Sequence, residues 1–382
     1  MKTYTRTKIL ATLGPASSDQ DTILQLIEAG VDAFRLNFSH GTHEQKAELI
    51  QHIRQLNIDH NFSVAIIADL QGPKIRLGKI EKDHFDLAAG DTFIITTDRS
   101  QVGTREKVSI SYDGFPMDVV TGDTILIDDG KVEVEVVDND KTTEVTVKML
   151  MPGRISSNKG VNLPNADVSL PSLTEKDLKD LEFAIEQDVD WVALSFVRTE
   201  KDIMNIREYI HKFSRDNDKD RHAKIIAKIE KPQAVTNIDK IIAKTDAIMI
   251  ARGDLGVEMK LQDVPIIQKQ IVEKCLQKSK PVIIATQMME SMIENPRPTR
   301  AESNDIANAV LDGADAVMLS GETSVGRYPV EAVRQMDTII RRVERDESVY
   351  HYPFKVNRGS ATYISDAVCA SAVHLSEQVN AK

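Results

Sequence analysis

The sequence predicts an α/β protein: a closed (β/α)₈ barrel, the TIM-barrel architecture, interrupted after its third strand by an inserted, β-barrel-like domain. Three observations carry this prediction. Eight short apolar runs recur along the chain, each followed by a segment with helical apolar spacing. Between about Pro73 and Pro171 the helical pattern gives way to short alternating runs. The eight runs also end in polar residues, at the end of a barrel strand where the following loops build a site.

The first strand is Lys8–Gly14, closed by Gly14-Pro15. Ser17 or Ser18 is expected to cap a helix with Asp19 and Asp21 in its first turn and Ile23, Leu26 and Ile27 on its apolar stripe, stopped by Gly30. Asp32–Ser39 is the second strand, with Arg35, Asn37 and Ser39 on one face. A helix then runs to about Leu56, and Val64–Asp69 is the third strand. In the insertion, Thr92–Thr97, Val108–Tyr112 and Thr124–Ile127 read as strands. Val132–Val137 and Thr142–Met149 alternate around Asp138-Asn139-Asp140-Lys141 as a hairpin, and no helix is expected there. Thr174 and Asp177 form a capping-box-like start. Strands four to eight follow at Asp190–Val197, Lys224–Glu230, Ala247–Gly253, Pro281–Thr286 and Ala316–Glu322. The charged run Arg341–Glu347 reads as a solvated helix face. The limits implied are 1–72 and 171–346 for the two parts of the barrel, 73–170 for the insertion and 347–382 for the start of a further domain.

Composition narrows the chemistry. The 382 residues are 41% hydrophobic and 28% charged, an ordinary soluble balance. The net charge of −11 argues against non-specific nucleic-acid or anionic-membrane binding, so an anionic substrate would need local cations or a metal. Cys275 and Cys369 are too few for a disulfide framework and suit a reducing cytoplasm. Met1–Leu13 has no long apolar run, so no signal peptide is visible, and no stretch is long enough to span a bilayer.

The polar strand ends are Thr12; Arg35, Asn37 and Ser39; Asp69; Ser195; Lys228 with Glu230; Arg252 with Asp254; Thr286 with Gln287; and Ser320 with Glu322. Taken alone, Lys228 and Glu230, two apart and so on one face of a strand, read as a structural ion pair. Their recurrence at one mouth turns the reading toward a site. Glu230 and Asp254, from adjacent strands, are hard oxygen ligands suited to Mg²⁺ or Mn²⁺. Neither paired cysteines nor a His-x-x-x-His spacing supports zinc. Arg35, Arg76 and Lys228 supply positive charge, and Gly253 lets backbone approach a small ligand. A divalent metal and several cations without a nucleophile–base pair suit phosphoryl transfer or enolate chemistry.

These residues resemble the pyruvate kinase family. The resemblance lies in Lys8–Pro15, Arg35–Gly41 (Arg-Leu-Asn-Phe-Ser-His-Gly), Asn158–Pro164, Ile226–Glu230, Ala251–Glu258 (Ala-Arg-Gly-Asp-Leu-Gly-Val-Glu), Ala285–Met292, Pro298–Glu302 and Met318–Thr323. They run in family order over nearly the whole chain, with the insertion where the family has its lid domain. The resemblance implies transfer of a phosphoryl group from phosphoenolpyruvate to ADP, giving pyruvate and ATP, in a cytoplasmic enzyme that is a homotetramer when full length. It implies that Glu230 and Asp254 hold the divalent metal and that Lys228 and Arg35 meet the phosphoryl group. Gly253, Asp254 and Thr286 would contact the substrate carboxylate, with Thr286 near the face where the enolate is protonated. Asn37, His40, Arg76 and the lid's Lys159 would line the nucleotide side.

Two departures from the family pattern matter. Many members bind K⁺ through the equivalents of Asn37, Ser39, Asp69 and Leu70 and carry Glu where this chain has Lys74, so a fixed ammonium is expected to replace the cation and K⁺ not to be required. Members also continue into an α/β C-terminal domain that carries an effector site. Here the sequence ends after what reads as its first helix, about Ala361–Gln378, whose packing is expected to be incomplete or borrowed. Two alternatives stay open from sequence: a metal-dependent aldolase or mutase of the same barrel class, and a chain that folds and oligomerises without turning over.

Overall fold

A computed structural model describes residues 5–164, 166, 170–217, 222–346 and 363–379. The strands are β1 (Lys8–Thr12), β2 (Ala33–Asn37), β3 (Ala65–Asp69), β4 (His84–Leu87), β5 (Thr92–Thr96), β6 (Lys107–Ser109), β7 (Thr124–Ile127), β8 (Val132–Asn139), β9 (Glu144–Met149) and β10 (Gly153–Ser156). They continue as β11 (Val161–Asn162), β12 (Trp191–Leu194), β13 (Lys224–Ile229), β14 (Ala247–Ala251), β15 (Val282–Ala285) and β16 (Ala316–Leu319). A closed parallel barrel runs β1-β2-β3-β12-β13-β14-β15-β16 and returns to β1, each strand beside its neighbour in the barrel's own sequence order.

Alternation within each strand builds two cores. Ile9, Phe34, Ile66, Val192, Ile225, Ile248, Ile284 and Val317 face outward into the layer shared with the helices. Leu10, Ala33, Ile67, Ala193, Ile226, Met249, Ile283 and Met318 fill the barrel interior. Two residues further along those inward rows stand Thr12, Arg35, Asp69, Ser195 and Lys228. The pleat that buries Ile226 therefore aims Lys228 into the mouth.

Helix starts follow local chemistry. Thr174 and Asp177 close both halves of the expected capping box, as do Thr42 with Gln45 and Thr299 with Glu302. The first helix, Gln20–Ala29, is capped by Asp19 rather than Ser17 or Ser18. Ser17 is buried and its hydroxyl accepts from the Gly14 N–H, so it belongs to the preceding turn. Gly30 ends the helix at φ +130°, as expected.

The insertion leaves β3 and forms a six-stranded sheet, β11-β7-β8-β9-β5-β6, beside the pair β10-β4, over its own apolar core. The hairpin turn follows Asp140, whose carboxylate accepts the N–H groups of Thr142, Thr143 and Glu144. One helical turn, Phe115–Asp118 with Pro116, interrupts the β structure where no helix was expected, because four residues leave no periodicity to read. Near the C-terminus, helix Tyr363–Gln378 leaves Ile364, Val368 and Leu375 exposed, as expected of an uncovered apolar face. The expected boundary at 347 lies outside the described residues. Among the described residues no helix is long and apolar enough to cross a membrane.

Candidate active site

At the C-terminal ends of the barrel strands the inward polar residues form one connected charge cluster. Lys228 Nζ, in a side chain 10% exposed, lies 2.9 Å from Glu230 Oε1 and 3.2 Å from Asp69 Oδ1, and donates to Ser195 Oγ at 2.7 Å. Arg35 Nε donates to Asp69 Oδ2 at 2.5 Å and Nη1 to Thr12 Oγ1 at 3.2 Å. The second oxygen of Glu230 accepts the Phe196 N–H at 2.7 Å. The ion pair between Lys228 and Glu230 therefore exists, but within a network that five barrel strands contribute to.

The electrostatics follow from burial and proximity. Burial alone would lower the Lys228 ammonium; Asp69 and Glu230 outweigh it and hold the group above the ordinary lysine range. Burial would likewise raise Asp69, and Lys228 and Arg35 outweigh it and hold the carboxyl below its ordinary value. Asp254, in the first turn of helix Arg252–Glu258, goes the other way: burial, then repulsion from Glu230, push it up to about 6. Two buried carboxylates that repel one another are what a divalent cation relieves, so Glu230 and Asp254 fit the expected metal. Among the described residues no group of three or more His, Cys, Asp or Glu side chains converges as a metal cage.

Beside this cluster the β14 and β15 ends interlock. The Gly253 N–H donates to Thr286 Oγ1 at 2.7 Å, and that hydroxyl donates to the Ala285 carbonyl at 2.6 Å. Thr286 and Gln287 are both left-handed, at φ +69° and +55°. This is a strained pair for residues with side chains. Arg252 holds them: Nη2 donates to the carbonyls of Thr286 and Gln287 at 2.9 and 3.2 Å, while Nη1 donates to Asp305 at 2.8 Å. Sequence reading named Arg252 among the strand ends without giving it a task. Its forked geometry is visible only in three dimensions.

The remaining candidates are more scattered. Asn37 Oδ1 accepts the Ser39 N–H at 3.0 Å, and His40 is exposed beside them. Arg76 and Lys159 bond within the insertion, Arg76 Nη1 to the Asn158 carbonyl at 3.1 Å and Lys159 Nζ to Asp128 at 2.9 Å. The Leu70 side chain is in the core, and its carbonyl accepts from Ser195. Lys74 is not bonded to Asn37, Ser39 or Asp69 among the described residues; its chain passes Gly160 of the insertion and its charge reaches Asp254. Ser320 and Glu322 have a structural task, Glu322 accepting the Met289 and Ser320 N–H groups. Lys46 was missed. It occupies the buried stripe of helix His43–His60 with Leu49, Ile50, Ile53 and Leu56, and an ammonium at that spacing was the available signal.

A cavity of about 620 Å³ lies at the opposite end, lined by Leu10, Ala33, Ile67, Trp191, Ile226 and Ala316 near the strand starts. It is mostly apolar, and none of the charge cluster lines it. The chemistry belongs to the mouth.

Residues 4–333 match the family model described as the pyruvate kinase barrel domain. The chain is 47% identical over 383 residues to a pyruvate kinase of Corynebacterium efficiens, covering 99% of this chain and 77% of that protein. It is 45% identical over 362 residues to one of Mycobacterium tuberculosis, covering 94% and 75%. A solved pyruvate kinase from Cryptosporidium parvum superposes with a TM-score of 0.89 at 38% identity, over 99% of this chain and 77% of that one. Together with the barrel, the insertion after β3 and the charge cluster at the mouth, these matches place the chain in the pyruvate kinase family of phosphotransferases.

Proposed function

We propose that the chain transfers the phosphoryl group of phosphoenolpyruvate to ADP, in the cytoplasm, with Mg²⁺ or Mn²⁺ and without a requirement for K⁺. The observation that carries the reading is the buried cluster of Lys228, Arg35, Asp69 and Glu230 with Asp254 beside it. The bond from phosphorus to the enol oxygen breaks, a bond to a terminal ADP oxygen forms, and the enolate left behind takes a proton at carbon to become pyruvate.

Each residue has a task in that sequence. Glu230 and Asp254 would hold the divalent cation, which when bound draws charge from phosphoryl and enolate oxygens. Lys228, kept protonated by Asp69 and Glu230, and Arg35 present fixed positive charge to the group in transfer. Fixed charges need no reorganisation as charge moves. The helix N-terminus at Gly253 and the Thr286 hydroxyl orient the carboxylate, with Thr286 beside the carbon to be protonated. Asn37, His40, Arg76 and Lys159 would receive the nucleotide, and closure of the insertion would exclude the water that competes for the phosphoryl group.

Support for K⁺ independence is that the Asp69 carboxylate already has two cations beside it, Oδ2 accepting from Arg35 and Oδ1 lying 3.2 Å from Lys228 Nζ without a hydrogen bond, and that Lys74 stands where K⁺-using members carry Glu. A homotetramer is the assembly proposed for a full-length member. The test is pyruvate formation from phosphoenolpyruvate and ADP with Mg²⁺, in tetramethylammonium buffer with and without KCl. Turnover that changes less than about twofold with KCl is expected. A many-fold rise on adding KCl would overturn the K⁺ reading, and no pyruvate in either buffer the whole proposal.

A further inference from the structure

Lys46 carries a charge that the protein itself does not answer. The residue is 8% exposed, water still reaches its ammonium, and no hydrogen bond or ion pair joins that ammonium to any described residue. The ammonium sits under the loop that follows β2: a methyl built on Gly41, at φ +78°, would come 3.8 Å from Nζ. The nearby charges do not neutralise it. Arg35 and Lys176 are cations, and among the described residues the carboxylate that acts on it, Asp180, already meets Lys176 at 2.6 Å through one oxygen and His43 at 2.7 Å through the other. Burial, then Arg35 and Lys176, push the Lys46 ammonium below the ordinary lysine range, which agrees with an excess of positive charge around it.

An ammonium in a largely buried residue, facing two other cations without a carboxylate of its own, is costly to hold. An arriving anion changes that cost into binding. We propose that Lys46, with Arg35, binds a phosphate group of a substrate at the β2 end of the mouth. The inference rests on the phosphoryl-transfer reading above and adds a residue to it. Phosphoenolpyruvate and the ADP phosphates share the chemistry, and the experiment separates them.

In the full chain, Lys46→Met removes the charge at nearly constant volume and Lys46→Arg keeps it. Affinity is measured by calorimetric titration with phosphoenolpyruvate and, separately, with ADP, each with Mg²⁺, alongside the urea midpoint without ligand. Lys46→Met should weaken one of the two ligands by about ten- to a hundredfold, and that ligand is the source of the phosphate. Its urea midpoint should stay or rise, because a charge repelled by Arg35 and Lys176 has gone. Lys46→Arg should bind within about threefold of the parent, on the same reasoning that charge is retained. If both ligands bind Lys46→Met within about twofold of the parent, or if the variant unfolds at lower urea, Lys46 is structural and the inference fails. Parent protein that binds these ligands but forms no pyruvate would instead sink the phosphoryl-transfer reading, leaving the binding comparison to decide on Lys46.

Discussion

Asp69 is the residue on which the cluster's charge balance turns. One carboxylate serves two cations: Oδ2 accepts from Arg35, and Oδ1 lies 3.2 Å from Lys228 Nζ without a hydrogen bond. Asp69→Asn keeps the shape but leaves two positive charges sharing Glu230. We expect a loss of about 3–5 kcal/mol, the range for breaking a buried pair from one side, read from urea unfolding at neutral pH. The pH dependence has a definite sign. The Asp69 carboxyl is held below its unfolded value, so its contribution is present above that value and fades as pH falls through the lower folded one. The gap between parent and variant should therefore narrow toward strong acid. A gap under 1 kcal/mol at neutral pH would mean that the cations find other partners.

Among the elements, the β14 and β15 ends depend on a single guanidinium. Arg252 bridges Asp305 to the carbonyls of two left-handed residues, and one of these, Thr286, aims its hydroxyl at Gly253. Arg252→Lys retains the charge but cannot donate in a fork. It should lower kcat by about tenfold or more through misplacement of Thr286, with the KM for ADP nearly unchanged, and added guanidinium should not restore it while Lys fills the space. A kcat within twofold of the parent would remove the positioning role. The same elements show how far sequence reaches. Period-two patterning made Arg35, Asp69, Lys228 and Glu230 legible as neighbours, because inward rows of a closed barrel converge. Asp19 was misread as a first-turn residue because the competing task of Ser17, at Gly14, is tertiary. Lys46 was passed over because no apolar stripe was assigned to its helix, whose buried face holds it with Leu49, Ile50 and Ile53. The partners that Arg76 and Lys159 take, Asn158 and Asp128, depend on how the insertion folds on itself.

At the scale of the whole molecule, an acidic chain concentrates its useful positive charge at one end of a barrel and leaves the other end an apolar cavity. The insertion is tied to the barrel beside that mouth: Asn162 on β11 donates to Glu258 at 2.7 Å, and the same oxygen meets Lys231 at 2.5 Å. That tie fixes the insertion to the helix that carries Asp254. The central claim is that Lys228 stabilises charge during transfer while Glu230 and Asp254 hold the metal. Lys228→Met tests it most directly, with pyruvate formation from phosphoenolpyruvate and ADP measured beside Mn²⁺ binding by electron paramagnetic resonance. The account predicts that turnover falls by about a hundred- to a thousandfold, as for loss of one preorganised electrostatic group, with Mn²⁺ still bound. Turnover within tenfold of the parent, with Mn²⁺ equally bound, would contradict it.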